Sequence, residues 1–291
     1  MSDPIVVGVD GSPGSLRALR WAAAEAARRH VTMLLVHAFG IPDAFYGETM
    51  PPRDWLEPHR ADSEAILAAA VQDVRRVHPP LDVVTESILD APIPLLLQRS
   101  ESATMVVLGT SGRTVLGDLL VGSIAAALAA HARCPFVVVR GRDRSAPDVD
   151  EPVVVGVDGS PASEAAVGLA FEEASLRGAP LVAVHAWSDA DTRQVFGAAR
   201  AAFDFEPVRE SETRVLAEAL AGWQEKYPDI PVRRVLERDR PRHQLLAWST
   251  RAQLIVAGSR GRGGFTGLII GSTSYALIHH ASCPVLITPT R

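Results

Sequence analysis

Two kinds of hydrophobic pattern alternate along the chain. Short runs of apolar, mostly β-branched residues are followed by longer segments in which apolar residues recur at helical spacing, as at Leu16, Leu19, Ala23 and Ala26. This alternation is typical of a parallel sheet with crossover helices. The predicted strands are residues 5–9, 33–37, 83–88, 105–108 and 136–139, and then 153–157, 181–185, 232–236, 254–257 and 285–288.

The same series of elements occurs twice. Residues 5–13 read IVVGVDGSP and residues 153–161 read VVVGVDGSP, an offset of 148, which becomes 149 by Cys134 and Cys283. A period this long indicates duplication of a whole domain rather than a solenoid of short units. We therefore predict an α/β fold with two tandem copies of a five-stranded, parallel-sheet, Rossmann-like domain. The copies span residues 1–140 and 153–291, and a polar linker spans 141–152.

Composition excludes several functional classes. The chain has 291 residues and a net charge of −5, so no overall basic field favours nucleic acid. The apolar runs are shorter than the roughly 20 residues of a membrane helix, and the first residues do not resemble a signal peptide. We expect a cytoplasmic protein with neither nucleic acid nor membrane as a partner. Its two cysteines are too few for a disulfide framework. Each precedes a proline at the start of a predicted strand, and both are interpreted as packing residues.

A glycine-rich segment follows the fourth predicted strand of each copy. It begins Gly-Thr-Ser-Gly at Gly109 and Gly-Ser-Arg-Gly at Gly258; nine residues later a Gly-Ser pair begins at Gly122 and Gly271. Each of these pairs opens a predicted helix. Free backbone N–H groups and the positive end of a helix dipole would then lie beside a glycine loop, which suits phosphate binding.

This loop differs from the standard phosphate-binding motifs. A Walker A loop needs Gly-Lys-Ser/Thr, and the only lysine, Lys226, lies far from both loops in the sequence. A dinucleotide fingerprint would follow the first strand, where Asp10 and Asp158 stand instead, each before Gly-Ser. A carboxylate there would repel phosphate but could accept hydrogen bonds from a ribose or a base. Asp-Gly is also a common turn pair, so a turn role for both aspartates stays open.

Together, these motifs resemble the universal stress protein family. The residues that carry the likeness are the doubled G-x2-G-x9-G-S motif, the Val-Gly-Val-Asp-Gly-Ser opening and the Cys-Pro before each last strand. The likeness covers nearly the whole chain and points to the tandem actinobacterial type and the ATP-binding branch. It implies an adenine-nucleotide α-hydrolase-like fold and a nucleotide-dependent role in stress response. It also implies one adenine-nucleotide site per half, with ATP, with or without Mg²⁺, as the ligand.

The resemblance also implies which residues form each site. The glycines and the closing Gly-Ser would surround the phosphates, the first-strand aspartate would lie near the adenosine, and the residue after strand two would lie near the base. With the loop arginines added, the first site comprises Asp10, Ala38, Leu108, Gly109, Gly112, Arg113, Gly122, Ser123 and Ile124. The second comprises Asp158, Ala186, Ala257, Gly258, Arg260, Gly261, Arg262, Gly271, Ser272, Thr273 and Ser274.

The two copies differ in the charge of this loop. Residues 258–272 carry two arginines and no acid, a local charge of +2, whereas residues 109–123 carry one arginine and one aspartate, a local charge of zero. The second copy also has Ser274 where the first has Ala125 and lacks the hydroxyl. We predict that both halves bind ATP, the second more tightly, although the arginines could equally be solvated surface charges.

Two other functions stay open. One is a slow ATP hydrolase or phosphotransferase, although the loop holds no general base, no paired carboxylates for Mg²⁺ are evident, and we expect no catalytic or metal-ligating residues. The other is an interaction scaffold that binds no nucleotide. Single domains of this family often pair, so the resemblance implies that the halves pack through their last strands and that the chain forms a homodimer. The aromatic segments 39–59 and 187–207 are interpreted as covering loops, and His37 and His185 as hydrogen-bonded structural residues.

Overall fold

The computed structural model describes residues 2–40, 53–110, 122–141, 150–187, 205–262 and 270–289. The chain divides into two compact units, Met1–Arg140 and Gly141–Arg291. The predicted linker begins at this division, and its residues 142–149 lie outside the described part of the chain.

The first unit alternates strands and helices in the order that the apolar pattern predicts. Its strands are β1 (Ile5–Gly8), β2 (Met33–Ala38), β3 (Val83–Ile88), β4 (Met105–Gly109) and β5 (Phe136–Val139). Its helices are α1 (Pro13–Arg29), α2 (Arg53–Val77), α3 (Pro92–Arg99), which continues into a 3-10 turn at Ser100–Ser102, and α4 (Gly122–His131).

The second unit repeats this series. Its strands are β6 (Val153–Val157), β7 (Leu181–Trp187), β8 (Val232–Arg238), β9 (Leu254–Gly258) and β10 (Val285–Thr288). Its helices are α5 (Pro161–Arg177), α6 (Glu206–Leu220), the short α7 (Trp223–Lys226), α8 (Pro241–Trp248) and α9 (Ser272–His280). The predicted α/β fold is confirmed in both units.

The differences from prediction lie at the ends of elements. β8 continues for two residues beyond the predicted strand, through Glu237 and Arg238, because an exposed polar residue can pair by its backbone although it breaks the apolar run. The covering-loop interpretation of residues 39–59 is wrong over its last part, since α2 begins at Arg53. Pro58 lies inside that helix, where a missing N–H costs one backbone hydrogen bond near the helix start.

All strand pairs within each unit are parallel. The order is β3-β2-β1-β4-β5 in the first unit and β8-β7-β6-β9-β10 in the second. β1 pairs on one side with β2 and on the other with β4, where Val7 lies opposite Val107; β6 does the same, with Val155 opposite Val256. The strand order therefore reverses beside β1 and beside β6, and the carboxyl ends of these strands border a crevice of the kind in which open α/β sheets bind ligands.

The cores form where these central strands meet the helices that follow them. Val153, Val154 and Val155 of β6 are fully buried, as are Ala166 and Phe171 of α5. The helix start is fixed locally. Ser160 accepts a hydrogen bond from the Ser163 backbone N–H (3.2 Å), Pro161 takes the first helical position, and the first unit repeats this arrangement. No helix in the described part of the chain is long and apolar enough to span a membrane.

Candidate functional site

The candidate site of each unit lies at the carboxyl end of its central strand. In the first unit Asp10 follows β1 and Gly109 ends β4, and in the second Asp158 follows β6 and Gly258 ends β9. Because β1 pairs with β4 and β6 with β9, each aspartate and the start of its glycine loop lie at the ends of neighbouring parallel strands. The structure thus brings together two segments that stand about a hundred residues apart in the sequence.

Both aspartates close a turn before the helix that follows. One carboxylate oxygen, Oδ1, accepts a hydrogen bond from the backbone N–H two residues on, from Ser12 at 2.9 Å in one unit and from Ser160 at 3.0 Å in the other. Burial raises the pKa of Asp10, but hydrogen bonds from Ser12 and Ser15 lower it by more, so the net pKa lies below the ordinary 3.8. The turn role is therefore real, and it orients the half-buried carboxylate at the strand end.

The first glycine of each loop serves close packing. A Cβ added at Gly109 would lie 2.2 Å from the carbonyl carbon and oxygen of Gly14 in α1. A Cβ at Gly258 would lie 2.8 Å from the Cβ of Ala162 in α5. Both distances are shorter than any ordinary contact, so these two positions need glycine for the strand to approach the helix, whatever they bind.

The start of α9 is held beside the end of β9. The Gly271 N–H donates to the Ser259 carbonyl oxygen (2.8 Å), and the hydroxyl of buried Ser274 donates to the Gly258 carbonyl oxygen (2.6 Å). Gly271 has no side chain with which to cap the helix, Ser272 is exposed and Thr273 is half-buried. The first turn of α9 therefore presents backbone N–H groups at the crevice.

The first unit has the corresponding helix start at α4. Ser123 is exposed, Ile124 is half-buried and Ala125 is buried. Gly112 and Arg113 lie outside the described residues. Ala125 has no hydroxyl with which to repeat the Ser274 bond, so the two helix starts are held differently.

The remaining predicted residues line the same edge. Leu108 and Ala257 are buried at 8% and 5% exposure just before the glycine loops, Ala38 ends β2, and Ala186 is the buried last-but-one residue of β7. Arg260 is exposed in the loop after β9.

The loop after β9 returns to the aspartate of its own unit. Oδ2 of Asp158 accepts a hydrogen bond from the Arg262 backbone N–H at 3.0 Å, and a Cβ at Gly261 would lie only 2.3 Å from the same oxygen. A side chain at position 261 would therefore displace the Asp158 carboxylate where the loop passes it. The Arg262 side chain continues across the turn to Glu212 of α6, with 3.6 Å between Nη1 and Oε2.

Glu212 is a site residue that the sequence prediction missed. Its Oε2 lies 2.5 Å from Nε2 of buried His185, whose Nδ1 lies 2.6 Å from the Val157 carbonyl oxygen. Because a carbonyl oxygen can only accept, Nδ1 carries a hydrogen and donates it. The signal that could have found this residue is the repeat itself, because an offset of 149 aligns Glu212 with Ser63.

The first unit has serine hydroxyls at these positions. Nδ1 of His37 lies 2.8 Å from the Ser63 hydroxyl oxygen, which lies 2.6 Å from the hydroxyl oxygen of Ser87. The histidines thus make local hydrogen bonds in both units, as the sequence predicts, and in the second unit the partner of the histidine is a carboxyl group. Within the described ranges, no group of three or more His, Cys, Asp or Glu side chains could hold a metal ion.

Comparisons with known proteins give matches over nearly the whole chain. The model of the Universal stress protein family matches residues 1–140 and 151–289. Universal stress protein Rv2005c of Mycobacterium tuberculosis is 42% identical over 287 residues, covering 97% of this chain and 96% of that protein. A universal stress protein of Mycolicibacterium smegmatis is 39% identical over 294 residues, covering 99% and 97%.

Solved structures share the fold. The crystal structure of a universal stress protein from Archaeoglobus fulgidus matches with a TM-score of 0.70 at 20% identity, covering 99% of both chains. A universal stress protein solved in complex with cAMP matches 47% of this chain at 26% identity, with 97% of that chain covered and a TM-score of 0.39.

Proposed function

The chain belongs to the universal stress protein family, and from this premise we propose that each half binds one adenine nucleotide, ATP before others, and that nucleotide occupancy regulates a stress-response function. The observation that carries the proposal is the crevice that each unit builds at one sheet edge. There a half-buried aspartate at the end of the central strand lies next to a glycine loop that leads into a helix start.

In the second half the donors suited to phosphate lie together. The first-turn N–H groups of α9, from Ser272 to Ser274, would hold phosphate oxygens, with Arg260 adding positive charge beside them. The fit has a steric basis. A Cβ at Gly271 would meet its nearest atom, the Ser259 carbonyl oxygen, at 3.4 Å, which is an ordinary van der Waals contact, so the described atoms do not crowd the helix start. Asp158 would accept hydrogen bonds from the ribose, and Ala186 would border the base.

The first half would use its equivalents. Phosphates would bind at the start of α4, the ribose at Asp10, and the base beside Ala38 and Leu108. The predicted +2 charge of residues 258–272 supports tighter binding by the second half. Bound ATP would supply charge and a conformational signal; the residues of both crevices bind and orient it.

Titration of the full chain with ATP tests the proposal. Wild-type protein is expected to bind about two equivalents, whereas Gly122→Glu and Gly271→Glu each retain one, because the added carboxylate lies at a helix start and repels phosphate. Gly271→Gln is the matched control. It has the same size without the charge and is expected to keep the second site. Absence of ATP binding by the wild-type chain would refute the proposal and favour the scaffold function.

Phosphate release separates a binding protein from an ATP hydrolase. Turnover at or above about 1 per second, the scale of dedicated enzymes, would contradict a binding role. We also propose a cytoplasmic location and a homodimer. Light scattering is expected to give about twice the chain mass of 31.1 kDa, and the single-chain mass would refute the dimer.

A further inference from the structure

Arg262 lies at the nucleoside end of the second crevice. Its backbone N–H is bonded to Oδ2 of Asp158, and a Cβ at Gly159 would lie 2.5 Å from its Nη2. The guanidinium therefore lies directly against the turn after β6. The sequence places Arg262 among the positive charges of the phosphate loop. In the structure its side chain extends instead toward Glu212 of α6.

Glu212 is the residue that receives this side chain. Its Oε2 is 3.6 Å from Nη1 of Arg262 and 2.5 Å from Nε2 of His185. His185 is only 3% exposed and is fixed from the other side by the Val157 carbonyl oxygen, so the carboxylate is anchored to the sheet. The Glu212 side chain is 20% exposed, whereas that of Arg262 is 46% exposed. The anchored partner is thus the glutamate, and the more exposed one is the arginine.

The ion-pair partner of Arg262 comes from outside the glycine loop. The Glu212 carboxyl group is contributed by a helix fifty residues upstream of Arg262. The first half has Ser63, a neutral residue, at the matching helix position. A nucleotide phosphate that recruits Arg262 must take it from Glu212, and this competition weakens the apparent affinity.

We propose that Glu212 is a positioning residue that lowers the phosphate affinity of the second half by holding Arg262 at the nucleoside end of the crevice. This inference rests on the proposed function, since it assigns a device to the same nucleotide site. It goes beyond that function because it makes the glutamate on α6, outside the glycine loop, the residue that sets how strongly triphosphate is preferred over the bare nucleoside.

The test uses full-length protein carrying Gly122→Glu, in which only the second site remains. Dissociation constants for ATP and for adenosine are measured with and without Glu212→Gln, Arg262→Gln and the double change. Glu212→Gln is expected to lower the dissociation constant for ATP about threefold, which is the scale of one partly exposed ion pair. The dissociation constant for adenosine is expected to stay unchanged. The Gln side chain offers both a donor and an acceptor, so a hydrogen bond to Nε2 of His185 can persist, and equal thermal unfolding of the variants confirms that the fold is intact.

The double-mutant cycle identifies the route of the effect. In the Arg262→Gln background, Glu212→Gln is expected to change the ATP constant by less than about 1.5-fold, because the competing arginine is gone. The conservative variant Glu212→Asp keeps the carboxylate and is expected to retain the wild-type preference more closely than Gln. If Glu212 had a merely structural role, its substitution would change the dissociation constants for ATP and adenosine by similar factors.

Two results would overturn the inference alone. One is a dissociation constant for ATP that Glu212→Gln leaves unchanged while ATP still binds. The other is a gain in ATP affinity from Glu212→Gln that is equally large in the Arg262→Gln background, which would assign the effect to direct repulsion by Glu212. Failure of wild-type protein to bind ATP at either half would instead refute the proposed function, and the inference with it.

Discussion

Gly258→Ala is expected to destabilise the second unit by about 2 kcal/mol, within the range for an overpacked core. The added Cβ would lie 2.8 Å from the Cβ, 2.9 Å from the carbonyl carbon and 3.0 Å from the carbonyl oxygen of Ala162. Comfortable carbon contacts begin at about 3.5 Å, so β9 and α5 must separate by roughly 0.5–0.7 Å. Two of the three atoms are backbone, so no side-chain rotation can relieve the overlap.

Scanning calorimetry measures this effect because it follows both units of the chain. About 2 kcal/mol corresponds to a fall of roughly 4–8 °C in the midpoint of a unit of this size. Gly271→Ala is the control from the same loop. Its Cβ would meet the nearest atom at 3.4 Å, and its φ of −65° suits any residue, so stability is expected to change by less than about 0.5 kcal/mol.

The two glycines separate packing from binding within one motif. The reasoning would be refuted if the Gly258→Ala variant had the same midpoint temperature as the wild-type protein. It would also be refuted if the midpoint of the Gly271→Ala variant fell as far as that of Gly258→Ala. At Gly109 the overlap is tighter, 2.2 Å to backbone atoms, so Gly109→Ala is expected to cost more than Gly258→Ala.

Three further predictions concern single residues. Burial raises the pKa of the Cys134 thiol to about 12 and Cys283 is 2% exposed, so neither should react with a disulfide reagent at about pH 8 until the protein is denatured; rapid native labelling would contradict this. The pKa of Asp10 is lowered from 3.8, so its charged form stabilises the fold above that pH, and this contribution disappears as pH falls through the native value. In urea unfolding, Asp10→Asn should therefore lose stability at neutral pH and lose less at about pH 2.5, and equal losses would be inconsistent with it. Ser160→Ala removes the cap on the Ser163 N–H and should cost about 1 kcal/mol in thermal unfolding, whereas Ser160→Asp should keep most of it; equal losses in both variants would exclude a capping role.

The fold was predictable because its decisive signals are local. Each central strand is a run of buried β-branched residues followed by Asp-Gly-Ser-Pro, which contains the turn, the helix cap and the first helical residue together. The repeat then doubles every signal and sets the number of domains. The main error, in residues 53–59, arose where Pro58 marks a loop in most contexts but is tolerated near the start of a long helix.

The site was only partly predictable because some of its contacts are not local. The placement of Asp158 beside the loop follows from strand order, which the α/β pattern implies. The packing role of Gly258 depends on how closely a strand and a helix approach, and the bond from Glu212 to Arg262 joins residues that no periodic pattern connects. Both features can be recognised only in the three-dimensional structure. Comparison of Glu212 with Ser63 shows from the sequence only that this position differs between the copies.

The strand order also has a consequence for synthesis on the ribosome. β1 must wait for its second partner β4, which begins nearly a hundred residues later, so at about 5–20 residues per second its edge is unpaired for several seconds. The matching strand of the other half, β6, has almost the same sequence and would offer β4 the same apolar edge. β4 leaves the ribosome before β6 has been made. Translation order therefore offers β4 the edge of β1 before the competing edge of β6 exists.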